Sequence, residues 1–232
     1  MPPRCRATVA CDLCYISPVM TPAHSIHIVD TEEQRHAASL LLGQRYAWRG
    51  YAGEHVLEEH AHRVSLCATD KGMTVGTATI GFDSAAGLLA DADFKDVIDG
   101  YRMQGGRVCE ITKLAMAPAA DTRKTLASLF HAVFMYAHIK HRCTDMFIEV
   151  NPRHRRYYEA MLGFQCLGDA RHNQRVNAPG HLLWSSMDHI AQQIATLAGT
   201  ASPTSAARSL YPHFLPPADA ASLANRLLKK TR

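Results

Sequence analysis

The strongest pattern in the chain is a helical one. Leu126, Leu129, Phe130, Val133, Phe134 and Ala137 recur at i, i+3, i+4, i+7, i+8 and i+11, which lays one apolar stripe along a single long helix. Around it the pattern changes to short apolar runs. Arg107 to Ala117 (RVCEITKLAMA) reads as a central strand ended by Pro118, and Met146 to Val150 (MFIEV) as a short buried strand. Asn151 as N-cap and Pro152 at the first helical position start a further helix that closes at Gly163. Phe164 to Leu167 and His181 to Trp184 give two more strands, and Met187 to Leu197 a final helix. Upstream, Thr31 and Gln34 form a capping box, after which Ala38, Leu41, Leu42 and Arg45 share a helix face to about Tyr46. Strand-like runs from Arg63 to Thr69 and Met73 to Phe82 meet at Asp70-Lys71-Gly72, a hairpin signal, and a helix near Phe94 to Met103 follows. The order strand, helix, strand, helix, strand in the second half predicts an α/β (α+β) fold: a mixed twisted sheet with helices on both faces and a βαβ crossover. Residues 1–24 and 198–232 lack this patterning and read as arms around a domain at 25–197, the second ending in a short basic helix.

Composition narrows the class. The chain has 232 residues, 47% hydrophobic and 20% charged, enough for one well-filled core. No window approaches the ~18 uninterrupted apolar residues of a membrane helix, and the first twenty residues lack a signal-peptide core. Seven Cys, with Cys11 and Cys14 as the sole CxxC, suit reduced thiols packed as small hydrophobes in a cytoplasm. Net charge is +4, unevenly spread: residues 1–106 carry 9 basic and 13 acidic groups, residues 107–175 carry 11 and 6. The basic middle lacks the interleaved aromatics and motifs of nucleic-acid binders. It suits a small anion or an acidic protein partner. The His pairs lack metal-site spacing, so no metal is expected.

Three constellations carry candidate chemistry. In VCEITKLAM, alternation puts Glu110, Thr112 and Leu114 on one sheet face and Ile111, Lys113 and Ala115 on the other. A carboxylate and an ammonium inside an apolar run mark either an edge strand reaching solvent or a partly desolvated Glu110 suited to accept a proton. In Asn151 to Tyr158 (NPRHRRYY), a buried strand opens into a helix N-terminus bearing Arg153, His154 and two more Arg, with Tyr157 and Tyr158 behind. Cations there oppose the helix dipole, so an anion is expected nearby. In Gln44 to Tyr51, Arg45 and Trp48 either clamp a carboxylate or form a snorkelling surface over a buried Trp.

These residues carry a resemblance. Arg107 to about Trp184 resembles the second half of the GNAT acyltransferase fold, and EITKLAM followed by EVNPRHRRYYEAMLGF resembles the long-chain N-acyl amino acid synthases. Those are similar in turn to acyl-homoserine-lactone synthases and exosortase-associated acyltransferases, and the likeness spans roughly residues 25 to 190. The resemblance implies an acyltransferase without a resident cofactor, moving a fatty acyl group from the phosphopantetheine of acyl carrier protein to an amino acid. It places Glu110 beside the thioester as base, an oxyanion-binding N–H at a bulge near Leu114, Ala115 and Met116, and Pro152, Arg153 and His154 at the family's Pro-Arg-His. Lys113 joins that wall, and Phe134 on the long helix would line the acyl chain. The thiolate's acid would be Tyr157 or Tyr158, since the usual Tyr-x3-Gly-Phe spacing is one residue longer here, and Arg45, Arg153 or Arg171 would hold the substrate carboxylate. Where ordinary GNAT enzymes carry a Gly-rich pyrophosphate loop, Ala119 to Thr125 holds no Gly, which disfavours coenzyme A. A signal synthase using S-adenosylmethionine fits less well, because its Arg-Phe-Trp pattern is only loosely met by Arg45, Tyr46 and Trp48. A non-catalytic acyl-binding module on the same fold is the remaining alternative.

Overall fold

A computed structural model describes residues 25–51, 53–118, 122–201 and 208–229. Eight strands and six helices follow in the order β1 (Ser25–Ile28), α1 (Glu32–Trp48), β2 (Arg63–Asp70), β3 (Met73–Phe82), α2 (Asp91–Met103), β4 (Val108–Met116), α3 (Thr122–Phe134), β5 (Asp145–Val150), α4 (Pro152–Leu162), β6 (Gln165–Cys166), β7 (Arg171–Asn173), β8 (Ala178–Ser186), α5 (Met187–Leu197) and α6 (Pro217–Lys229). The sheet runs β1-β2-β3-β4-β5-β8-β6, with β7 paired to β8. Every neighbouring pair is antiparallel except β4 and β5, and α3 makes the crossover between those two.

Local chemistry explains the element ends. Thr31 and Gln34 close both halves of the capping box on α1. Lys71 and Gly72 take φ of 48° and 80°, the two left-handed residues that a two-residue hairpin turn requires. The Asn151 side chain accepts from the Arg153 N–H at the start of α4, and Gly163 caps its end at φ 72°. Helices α1 and α2 cover one sheet face, where Leu42 packs with Cys67 and Phe94 with Phe147. The other face buries the α3 stripe together with residues of α4, α5 and α6. The stripe runs on through a π-helical turn, Met135–Lys140, whose Tyr136 and Ala137 stay buried.

Several expectations need correction. The segment 208–229 is no arm: Leu210, Tyr211, Phe214, Leu223 and Leu227 belong to the main core beneath α3. Its Ala, Ser and Pro richness hid five widely spaced apolar anchors. Strands β1 and β7 are too short, and β7 (RHN) too polar, to show periodicity. Strand β8 begins at Ala178, earlier than Pro179 and Gly180 suggested. The readings of residues 1–24, including Cys11 and Cys14, lie outside the described residues. Of the described thiols, Cys67, Cys109 and Cys143 are buried and unbridged. No described helix is long and apolar enough to cross a membrane.

Candidate active site

Strand β4 lies inside the sheet, between β3 and β5, so its charged residues do not mark an edge. Its pairing with β5 runs from Val108–Asp145 to Ile111–Ile148 and then stops. On the other side, Thr79 pairs with Thr112 and Thr77 with Ala115. Two residues of β4, Lys113 and Leu114, therefore face the single residue Ala78, with Lys113 at φ 52°. Such a bulge bends its strand and takes one residue out of the ladder. Here it splays β4 from β5. It also reverses the faces after Thr112: Ala115 packs against α1 rather than beside Ile111, contrary to simple alternation. A cavity of about 490 Å³ fills the opening, walled by both strands, the end of α1, the start of α4 and the β7–β8 hairpin.

Glu110 stands in this cavity, 2% exposed. Its Oε1 accepts from the Leu89 N–H at 2.7 Å and its Oε2 from the Ala90 N–H at 2.9 Å, both from the segment that leads into α2. Burial raises its pKa; the two amides and the charges of Arg175 and Arg63 oppose that rise, but the net shift is upward. Opposite it in β3 is Gly81, where a Cβ would lie 2.8 Å from Oε1 and 2.9 Å from Cγ. Gly81→Ala is therefore expected to push the carboxylate off its amides and to lower turnover about a hundredfold, the scale for misplacing a reacting group by about 1 Å. Steady-state kinetics beside a thermal melt would check this, an unchanged rate being the contrary result.

A second carboxylate shares the cavity. Glu149 of β5 accepts at Oε2 from Arg175 Nη2 at 2.8 Å, and burial raises its pKa against the pull of Asn173 and Arg175. Cations gather at the α1 side. Arg45 lines the cavity with its guanidinium 4.7 Å from the Trp48 ring centre, and Arg49 follows one turn later. The Lys113 ammonium donates to the Val56 carbonyl at 2.6 Å, and burial lowers its pKa. Burial, then Arg49 and Arg153, also lower that of His154, favouring a neutral ring. The Tyr158 hydroxyl is raised well above its usual range by burial, so it stays protonated.

Of the residues singled out from sequence, the cavity brings together Glu110, Lys113, Leu114, Met116, Arg45, His154, Tyr157 and Tyr158. Trp48, Ala115, Phe134, Arg153 and Arg171 lie outside it. Trp48 is 73% exposed and supports Arg45 from outside. Ala115 is buried under α1, and Phe134 faces the main core, stacked on His138. Arg153 turns away to donate to the Arg49 carbonyl at 3.3 Å. Arg171 is also occupied, held bidentately by Asp96 at 2.6 and 2.8 Å. Arg49 and Tyr46 of the Gln44 to Tyr51 cluster line the cavity as well, whereas sequence reasoning missed Glu149, Arg175 and His55, whose ring packs edge-on to Tyr46. Glu149 was legible as a charge inside an apolar strand, the same signal that exposed Glu110; Arg175, in a polar turn, left none. Among the described residues no group of three or more His, Cys, Asp or Glu is placed to hold a metal ion.

Comparison with known proteins gives the site its context. The family model described as N-acyl amino acid synthase FeeM matches residues 37–186. Among solved structures, FeeM, an N-acyl amino acid synthase from uncultured soil microbes, is 25% identical with a TM-score of 0.66, covering 75% of this chain and 95% of that one. A putative N-acetyltransferase from Lactobacillus plantarum is 14% identical with a TM-score of 0.53, covering 71% and 99%. The acyl-homoserine-lactone (AHL) synthase LasI is 11% identical with a TM-score of 0.50, covering 71% and 90%. The last two share the acyltransferase fold. No curated protein matches.

Proposed function

From the premise that this chain belongs to the family of the N-acyl amino acid synthase FeeM and is an acyltransferase, we propose that it moves a long-chain fatty acyl group from the thioester of acyl carrier protein to the α-amine of an amino acid. The observation that carries the reading is Glu110, a buried carboxylate of raised pKa standing in a cavity that opens between two splayed strands. A neutral amine attacks the thioester carbonyl carbon and the C–N bond forms. Glu110, directly or through one water, takes the proton that the new ammonium must lose. The oxyanion meets the Leu114 N–H at the bulge. The C–S bond then breaks, and Tyr158 returns a proton to the thiolate. Apolar wall residues Ile111, Leu114, Met116, Leu126, Ile148 and Val150 suit the acyl chain. With Arg171 and Arg153 turned elsewhere, Arg45 is the arginine left to hold the substrate carboxylate, Arg49 beside it.

Charge supports the donor. Thr122 and Asn151 line the cavity, and the next residues along, Arg123 and Arg153, are exposed. Arg123 lies close enough to Tyr157 to lower its pKa against the effect of burial. An acidic carrier surface fits this basic rim, whereas Ala119 to Thr125 holds none of the glycines on which a pyrophosphate-binding loop relies; Ala119 to Asp121 lie outside the described residues. No cofactor enters the scheme. Purified protein is expected to turn over acyl carrier protein thioesters faster than the same acyl group on coenzyme A, with an advantage that shrinks as salt screens the rim. Equal or faster turnover with acyl-coenzyme A would remove the carrier protein from the account.

A further inference from the structure

We infer that Arg175 is a positioning residue for Glu110, holding its amide cradle in place through Leu89. The inference rests on the reading of Glu110 as the base. Leu89 links the two residues, because both its N–H and its carbonyl are engaged. Its N–H donates to Glu110 Oε1 at 2.7 Å and its carbonyl accepts from Arg175 Nη1 at 2.5 Å. The other arm of the fork, Nη2, donates to Glu149 Oε2 at 2.8 Å. One guanidinium thus ties the segment that holds the base to the strand across the cavity.

The arginine is itself fixed. It sits in the turn between β7 and β8, where its N–H donates to the buried Asn173 Oδ1 at 2.9 Å, a local bond of the kind that sets turn geometry. The same hairpin also grips α2 itself, since Arg171 pairs with Asp96 and donates to the Asp93 carbonyl at 2.7 Å. On the far side, Gly180 leaves the space that the Glu149 carboxylate occupies. A planar fork reaching two acceptors in different directions is a task for which Lys is a poor substitute.

Kinetics of Arg175→Gln and Arg175→Lys, with Arg171→Gln and Glu110→Gln beside them, test the inference. Because an ionised Glu110 must accept the proton, rate rises with pH through its pKa. Losing the cation raises that pKa further, so in Arg175→Gln the acid limb of the kcat/KM profile moves to higher pH. Turnover falls about a hundredfold with misplacement of the base, while KM for the amino acid holds within about twofold. Arg175→Lys keeps the charge and hence the limb, but loses at least about tenfold in kcat for want of the second bond. Arg171→Gln, which loosens the hairpin without a cation beside Glu110, leaves the limb in place. An unmoved limb in Arg175→Gln, or wild-type kcat in Arg175→Lys, overturns the inference while kcat of Glu110→Gln stays at least about a hundredfold down. Wild-type kcat in Glu110→Gln instead overturns the assignment of the base, and the two failures are told apart by that one variant. Should Arg175→Gln not fold, the kcat of Arg175→Lys decides alone.

Discussion

Glu110→Gln is expected to lower kcat by about 10²- to 10⁴-fold, the contribution of a positioned proton acceptor. The substitution keeps the volume that Gly81 leaves room for, and an amide cannot take a proton from the attacking amine. It also alters the cradle. Leu89 and Ala90 both donate to this side chain, and the new NH₂ has a donor facing it at one of the two positions, at a stability cost of about 1–3 kcal/mol. A thermal melt must therefore accompany the kinetics, so that lost turnover is read on folded protein. The pH profile separates the two effects. Burial raises the Glu110 pKa, so wild-type activity falls on acidification at a pH above the usual carboxylate range. In the Gln variant that limb disappears, whatever residual rate remains. A Gln variant with wild-type kcat would assign the proton to another acceptor.

Phe214→Ala is expected to destabilise the protein by about 3–5 kcal/mol, the range for removing a buried aromatic. The phenyl ring is 2% exposed, stacked 5.2 Å from His131 and tilted 4.9 Å from Tyr211. Burial holds His131 neutral, its pKa pulled down to about 4, so the ring pair is an apolar contact rather than a cation–π one. Two hydrogen bonds tie the same segment to the end of α4: the Leu210 N–H donates to the Met161 carbonyl at 2.8 Å, and the Tyr211 hydroxyl to the Leu162 carbonyl at 2.9 Å. Chain after α5 thus completes the core behind α3, the helix whose Leu126 lines the cavity. Urea unfolding measures the loss, and a change below about 1 kcal/mol, as for a surface site, would make this segment a peripheral strap.

How far the sequence carried depended on whether a feature was periodic. The α3 stripe, the Asn151-Pro152 start, the Gly163 stop and the Lys71-Gly72 turn each need a particular residue at a particular place, and each stands where the pattern put it. Glu110 was legible because a carboxylate inside an apolar strand has a desolvation cost that asks for an explanation. Partnership was not legible. Leu89, Ala90 and Arg175 reach Glu110 or its cradle from far along the chain, and no local pattern records such a contact. Alternation also failed at Ala115, because a bulge adds one residue and turns every later side chain over. Trp48 and Phe134 misled for a related reason: an aromatic suggests a core or a ligand wall, and only packing decides which.

The most direct test of the central claim is mass spectrometry of the products formed by purified protein supplied with fatty-acyl carrier protein and the twenty amino acids, run beside Glu110→Gln. The expected result is one or more N-acyl amino acids with the wild-type protein, identified together by amine and chain length, and at least about a hundredfold less product in the same time with the variant. Folded wild-type protein that forms no amide, or that forms it equally well without Glu110, would contradict the account.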